Sequence, residues 1–137
     1  MIDLFALAVF ASRLTEPGAS FGKMTTTIDA EGDGEVAAWP YWEPSPLAEE
    51  FIEMAYDTGW VRGNFDWSRW TGTSEGQRYL TDPSSIAATT SRQLQKIITA
   101  LLRSEKFCEG AMLQAFESGI ISAIAARAAN LGRKRSR

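Results

Sequence analysis

From residue 91 to residue 130 apolar side chains recur every three or four positions, and that period limits this chain more than any other feature. Leu94, Ile97, Ile98, Leu101 and Leu102 share one face of a helix over 91–107, while Arg92, Lys96, Arg103 and Lys106 take other positions. Thr90 or Ser91 stands where a helix N-cap is wanted. Gly110 interrupts the pattern, and Met112, Leu113, Phe116, Ile120, Ile121 and Ile124 resume it, which predicts a second long helix over 111–130. Gly119 and the alanines of that stretch are small enough for a neighbouring helix to approach closely, and Leu131-Gly132 marks its end. Two long amphipathic helices joined by a short corner have to bury their apolar stripes against further helices, which points to a bundle.

Other helices are legible around this pair. Ser45 as N-cap and Pro46 at the first helical position open a helix over 46–58, with Glu49 and Glu50 in its first turns and Gly59 as its stop. Leu47, Phe51, Met54 and Ala55 form its apolar stripe, and Glu49, Glu50, Glu53 and Asp57 face outward. Residues 2–14 are apolar on nearly every side, so this first helix is buried within the chain or across a homodimer. Asp66 caps a short helix holding Trp67 and Trp70, a second short helix covers about 74–80, and a turn follows around Ile86. Residues 21–42 read differently: Thr25 to Ile28 favour strand, Asp33-Gly34 favours a tight turn, and Val36 to Trp42 would return. That segment is a small hairpin or an ordered acidic loop. The expected fold is mainly α, a compact bundle of about five helices with an insert at about 20–44. It forms one domain over 1–132, followed by a frayed basic tail at 133–137.

Composition removes several function classes. There is no histidine, hence no Ser-His or Cys-His nucleophile and not the commonest general base or metal ligand. One cysteine, Cys108, forbids an internal disulfide and, with no histidine beside it, leaves no structural zinc set. It reads as a small buried core residue. No catalytic motif, metal site or cofactor is expected. The apolar run Leu4–Ala11 lacks a basic flank and is far short of the roughly 20 residues of a membrane span. The expectation is a cytoplasmic protein without a membrane segment.

The net charge of −3 hides an asymmetry. Residues 1–66 carry 12 acidic and 3 basic side chains, whereas residues 67–137 carry 5 and 11. Between Lys23 and Arg62 there is no base, but Asp29, Glu31, Asp33, Glu35, Glu43, Glu49, Glu50, Glu53 and Asp57 all fall there. Such a surface repels nucleic acid and attracts a basic groove. Trp39, Tyr41 and Trp42 lie in the same stretch; core packing and hairpin support are the commoner uses of such rings, but they are also residue types enriched in interface anchors. These 12 residues are the candidate partner-binding set. Arg103, Glu109 and Glu117 form a second constellation, read mainly as an Arg–carboxylate lock on the corner between the last two helices. Asp66 and Trp67 are read as structural.

Three pieces of the C-terminal half carry a resemblance: Phe65-Asp66-Trp67 with Trp70, the run Thr99 to Arg103 leading to Phe107-Cys108-Glu109-Gly110, and Phe116-Glu117-Ser118-Gly119. Over about 47–127 the chain resembles an uncharacterised bacterial domain family of unknown function that recurs in mobile-element genomes. Lys106 departs from the arginine expected before Phe107. The resemblance implies a shared fold and no established activity, and leaves the acidic insert and basic tail outside it.

The leading expectation is a non-enzymatic binding protein whose acidic, aromatic-bearing face docks on a basic protein or ribonucleoprotein surface. A phage or mobile-element inhibitor of a CRISPR-type complex is its concrete form. The alternatives are a nucleic-acid-binding accessory protein using Arg92, Lys96, Arg103 and the tail, and a small enzyme using Glu109, Glu117 and Arg103.

Overall fold

N-cap side chains set most of the helix starts. A computed structural model describes residues 3–27 and 39–135. Asp3 accepts from the amides of Phe5 and Ala6 and opens α1 (Leu4–Ala8), which continues into α2 (Phe10–Leu14). Val9 between them keeps right-handed helical angles (φ −64°, ψ −19°), so the break in the expected first helix is local. Strands β1 (Gly22–Thr27) and β2 (Trp39–Pro44) pair antiparallel, Lys23 opposite Glu43 and Met24 opposite Trp42. The insert is therefore a hairpin, with its expected Asp33-Gly34 turn outside the described residues. Gly22 has φ +106°, and a Cβ there would stand 2.1 Å from the Glu43 carbonyl oxygen, so only glycine fits at the start of β1.

Ser45 caps α3 (Pro46–Asp57) through the amide of Ala48. Gly59 (φ +85°) turns the chain out of that helix, and the Trp60 amide bonds back to Ala55 O at 3.0 Å. Asp66 caps α4 (Trp67–Thr71), as its sequence position predicts, and Thr73 caps α5 (Ser74–Thr81). A 3-10 turn over Pro83–Ala88 follows. Thr90 and Gln93 form a reciprocal capping box at the start of α6 (Ser91–Glu105).

The expected helix over 111–130 is two helices, α7 (Ala111–Glu117) and α8 (Ile120–Arg135). Gly119 adopts φ +92° with nothing within 4 Å of its would-be Cβ. Its use is a left-handed bend, not the close approach expected of it. Nor does the chain stop at Leu131-Gly132: α8 runs on to Arg135, and Gly132 packs under Phe5, whose ring would lie 3.5 Å from a Cβ there. The basic tail thus begins inside a helix.

One hydrophobic core joins these elements. Leu4, Leu7, Phe10 and Leu14 bury one stripe of α1 and α2 within the same chain, leaving Phe5 and Val9 exposed on the outer side. Phe116 sits at the centre of an aromatic cluster, stacked on Phe21 at 5.1 Å and edge-on to Phe51 at 5.7 Å. The Trp42 ring lies 6.1 Å away. Trp60 is fully buried and donates its indole N–H to Asp3 O at 3.1 Å.

A polar network ties α4, α5 and α6. Glu75 accepts from the Trp70 indole at 3.0 Å and from the Gln93 side chain at 3.2 Å. The Trp70 hydrogen bond, helped by Gln93 and the charges of Lys96 and Arg78, holds the Glu75 carboxyl below its ordinary value of 4.5 against a smaller opposing effect of burial. A depressed folded-state value means that the stabilisation from Glu75 is present above pH 4.5 and fades as pH falls through the folded value. Urea melts of wild type and Glu75→Gln are expected to differ at pH 7 and to converge as the pH falls through the lowered folded-state value. An equal difference at pH 7 and below that value would show that the charge of Glu75 does not matter.

Candidate docking surface

The acids of α3 lie on one side of the helix because their spacing repeats with its period. Glu49, Glu53 and Tyr56 fall at i, i+4 and i+7, with Glu50 and Asp57 on the flank, and all five are exposed. No base occurs in α3 itself. Arg13 of α2 pairs with Glu50, both partners about half exposed, so the pair adds little stability and neutralises one carboxylate of the row.

Beside this row runs a groove of about 290 Å³ between α3 and the α6–α7 corner. Ile52, Leu102 and Met112 make its apolar wall, and Tyr56, Lys106 and Glu109 its rim. The corner itself is held by Glu105, a carboxylate that sequence reasoning passed over. Its two oxygens accept from the amides of Gly110 (2.8 Å) and Met112 (3.0 Å), satisfying donors at the start of α7 that no helical carbonyl can reach. Burial pushes the Glu105 carboxyl above its ordinary value, although those two amides pull the other way. The one local sign of this role was a carboxylate at the end of one helix, five residues before the glycine that begins the next.

β2 leads into α3 through Ser45, and its Trp42 amide bonds to Glu109 at the α6–α7 corner. The Tyr41 hydroxyl donates to Glu43 Oε1 at 3.0 Å, and this bond, with burial and the neighbouring negative charge, holds the phenol proton above its ordinary range. Trp42 takes the hairpin-supporting place and not the partner-binding one. Its ring is buried, 9% exposed, and its indole donates to Phe21 O at 3.1 Å, so it supports the hairpin from within and offers no surface to a partner. Glu43, Glu49, Glu50, Glu53 and Asp57 are exposed. Trp39 lies in β2; Asp29, Glu31, Asp33 and Glu35 fall outside the described residues.

The second constellation does not assemble. Among the described residues no ion pair joins Arg103 to Glu109 or Glu117. Glu109 instead accepts from the backbone amide of Trp42 at 3.1 Å, clamping β2 to the corner, and Glu117 is exposed. Neither Arg103 nor Glu117 lines the groove. Cys108 is exposed, contrary to the buried place expected for it, because its amide caps the last turn of α6 at Ser104 O and leaves the side chain outside. A larger hollow of about 460 Å³ between α5, α6 and α7 is lined by Leu80, Leu101, Ala115 and Ile120 among others, with no ionisable side chain. Asp66 caps α4 through the Arg69 amide, and the Trp67 ring stacks on Phe107.

A model for a family of unknown function, DUF6508, matches residues 2–134. The chain belongs to that family. The match is wider than the resemblance carried by the C-terminal motifs, so the acidic segment and Arg133 and Lys134 lie within the family's extent. No curated protein and no solved structure matches the chain. No helix among the described residues is long and apolar enough to cross a membrane.

Proposed function

We propose that this DUF6508 protein is a non-enzymatic binding protein that docks on a basic protein or ribonucleoprotein surface through the outer face of α3. The observation that carries the reading is the exposed row Glu49, Glu53, Tyr56 with Glu50 and Asp57, free of bases in its own helix and bordering a groove with an apolar wall. The carboxylates would steer encounter with a positive surface, and Tyr56, 45% exposed, supplies the amphipathic ring that interfaces favour at their centres. In its most concrete form the protein is a cytoplasmic inhibitor carried by a phage or other mobile element. It would cover the nucleic-acid groove of a CRISPR-type complex by shape and charge.

The test replaces Glu49→Gln, Glu50→Gln, Glu53→Gln and Asp57→Asn together in tagged protein used to pull partners from a bacterial lysate. Exposed substitutions of this kind change stability little, so a thermal melt close to wild type is expected. The wild type recovers a stoichiometric basic protein or ribonucleoprotein, and the variant binds that purified partner at least about tenfold more weakly. Equal affinity of wild type and variant for the partner would sink the reading.

A further inference from the structure

On the surface of α6 the cations are aligned. Arg92, Lys96, Arg103 and Lys106 fall within about 80° of one another around the helix at about 100° per residue, and span about 21 Å along it. The segment that leads into α4 packs along this line. The Arg62 amide donates to the buried Thr99 hydroxyl at 3.0 Å, which seats the segment on α6. Phe65 then lies with the Lys96 ammonium 6.0 Å and the Arg62 guanidinium 5.7 Å from its ring centre. At the far end Trp67 stacks on Phe107, ring centres 5.8 Å apart and planes 29° from parallel. Phe107 is 81% exposed, so the outer face of that pair is open.

The nearby acids are turned to other tasks. Asp66 accepts from the Arg69 amide, Glu75 near Lys96 accepts from Trp70 and Gln93, Glu105 points to the amides of Gly110 and Met112, and Glu109 near Lys106 accepts from the Trp42 amide. An exposed phenylalanine stacked on a tryptophan at the end of a row of four cations has no use in the core. The arrangement alternates positive charge with π faces, which is the chemistry that holds a phosphate chain with unstacked bases. A duplex keeps its base faces inside the stack and offers nothing to Phe107.

We propose that this stripe binds single-stranded nucleic acid, with phosphates along Arg92, Lys96, Arg103 and Lys106 and a base on the open face of Phe107. The stripe meets the groove beside the α3 acids only at Lys106, and the proposal stands whether or not that acidic row binds a protein. A protein with both surfaces would engage a nucleoprotein complex at its basic groove and at the strand that leaves it.

The test is fluorescence anisotropy of the full chain with a labelled single-stranded oligonucleotide of about 12 nucleotides, compared with the same sequence as duplex. The single strand is expected to bind more tightly than the duplex. With four phosphates neutralised, its affinity should drop about fiftyfold between about 50 and 200 mM salt. Phe107→Ala should weaken single-strand binding about tenfold and leave the thermal melt unchanged, since the ring is outside the core. Lys96→Glu with Arg103→Glu should weaken it further and flatten the salt dependence. The proposal is overturned by three results: no binding at low salt, equal binding of duplex and single strand, or full affinity retained by Phe107→Ala. The last would reduce the stripe to unspecific charge.

Discussion

Replacing Phe116 with alanine is expected to destabilise the fold by about 3–5 kcal/mol, a large part of the stability of a domain this size. The ring is 2% exposed and touches aromatic neighbours from three directions. Phe21 stacks on it from the chain leading into β1, Trp42 meets it from β2, and Phe51 meets it edge-on from α3. Alanine removes the transfer energy of the ring and also leaves a hole that three rigid rings cannot collapse to fill. Urea denaturation with the slope unchanged and the midpoint lowered is the expected record. Phe116→Leu, which keeps most of the volume, should recover much of the loss. A cost for Phe116→Ala below about 1 kcal/mol would show that the hairpin and α3 do not depend on this ring.

Trp60→Ala is expected to cost a similar 3–5 kcal/mol through a different route. Trp60 follows the Gly59 turn and is fully buried. Its indole N–H donates to Asp3 O, and its own carbonyl accepts from the Thr99 hydroxyl. One residue therefore fastens the start of α1, the end of α3 and the middle of α6. Trp60→Phe narrows the contributions, because it keeps one ring in the pocket and loses the bond to Asp3 O, about 1 kcal/mol, together with the packing of the second ring. Amide hydrogen exchange gives a second readout: in Trp60→Phe, faster exchange should be confined to the first turn of α1. Faster exchange spread over the whole chain would mean that the ring shape, not the hydrogen bond, holds α1 in place.

Helix existence was legible in this sequence because the signals are local. Ser45-Pro46, Asp66 and Thr90 with Gln93 each cap the helix their position predicts, since a cap depends on a side chain and the amide three residues on. The apolar period placed Leu94, Ile97, Ile98 and Leu101 in the core, where they are found. The hairpin was half visible, its threonines and aromatics marking strand while its acids read equally as loop.

What was misread depended on neighbours distant in the chain or on a backbone angle. Gly119 looks the same in sequence whether it sits inside a helix or bends it, and only the packing of α8 against α1, with Gly132 beneath Phe5, selects the bend and carries α8 on to Arg135. Trp42 could be read from its residue type as a hairpin support or as an interface anchor, and the strand alternation that turns it toward Phe116 selects the first. Glu109 was paired on paper with Arg103, whereas its actual partner is the amide of Trp42, 67 residues earlier. Cys108, small and apolar, was placed inside; the corner that Glu105 closes leaves it outside.

The sequence alone determined the helical class, most of the helix starts, the lack of histidine chemistry and the opposition of an acidic and a basic half. Those follow from short-range spacing and from counts. Tertiary structure decided which charges share a face and which rings stay exposed. The α3 acids form one row beside a groove, and the α6 cations line up with Phe65, Trp67 and Phe107, because pairings between elements far apart in the chain set surface neighbours.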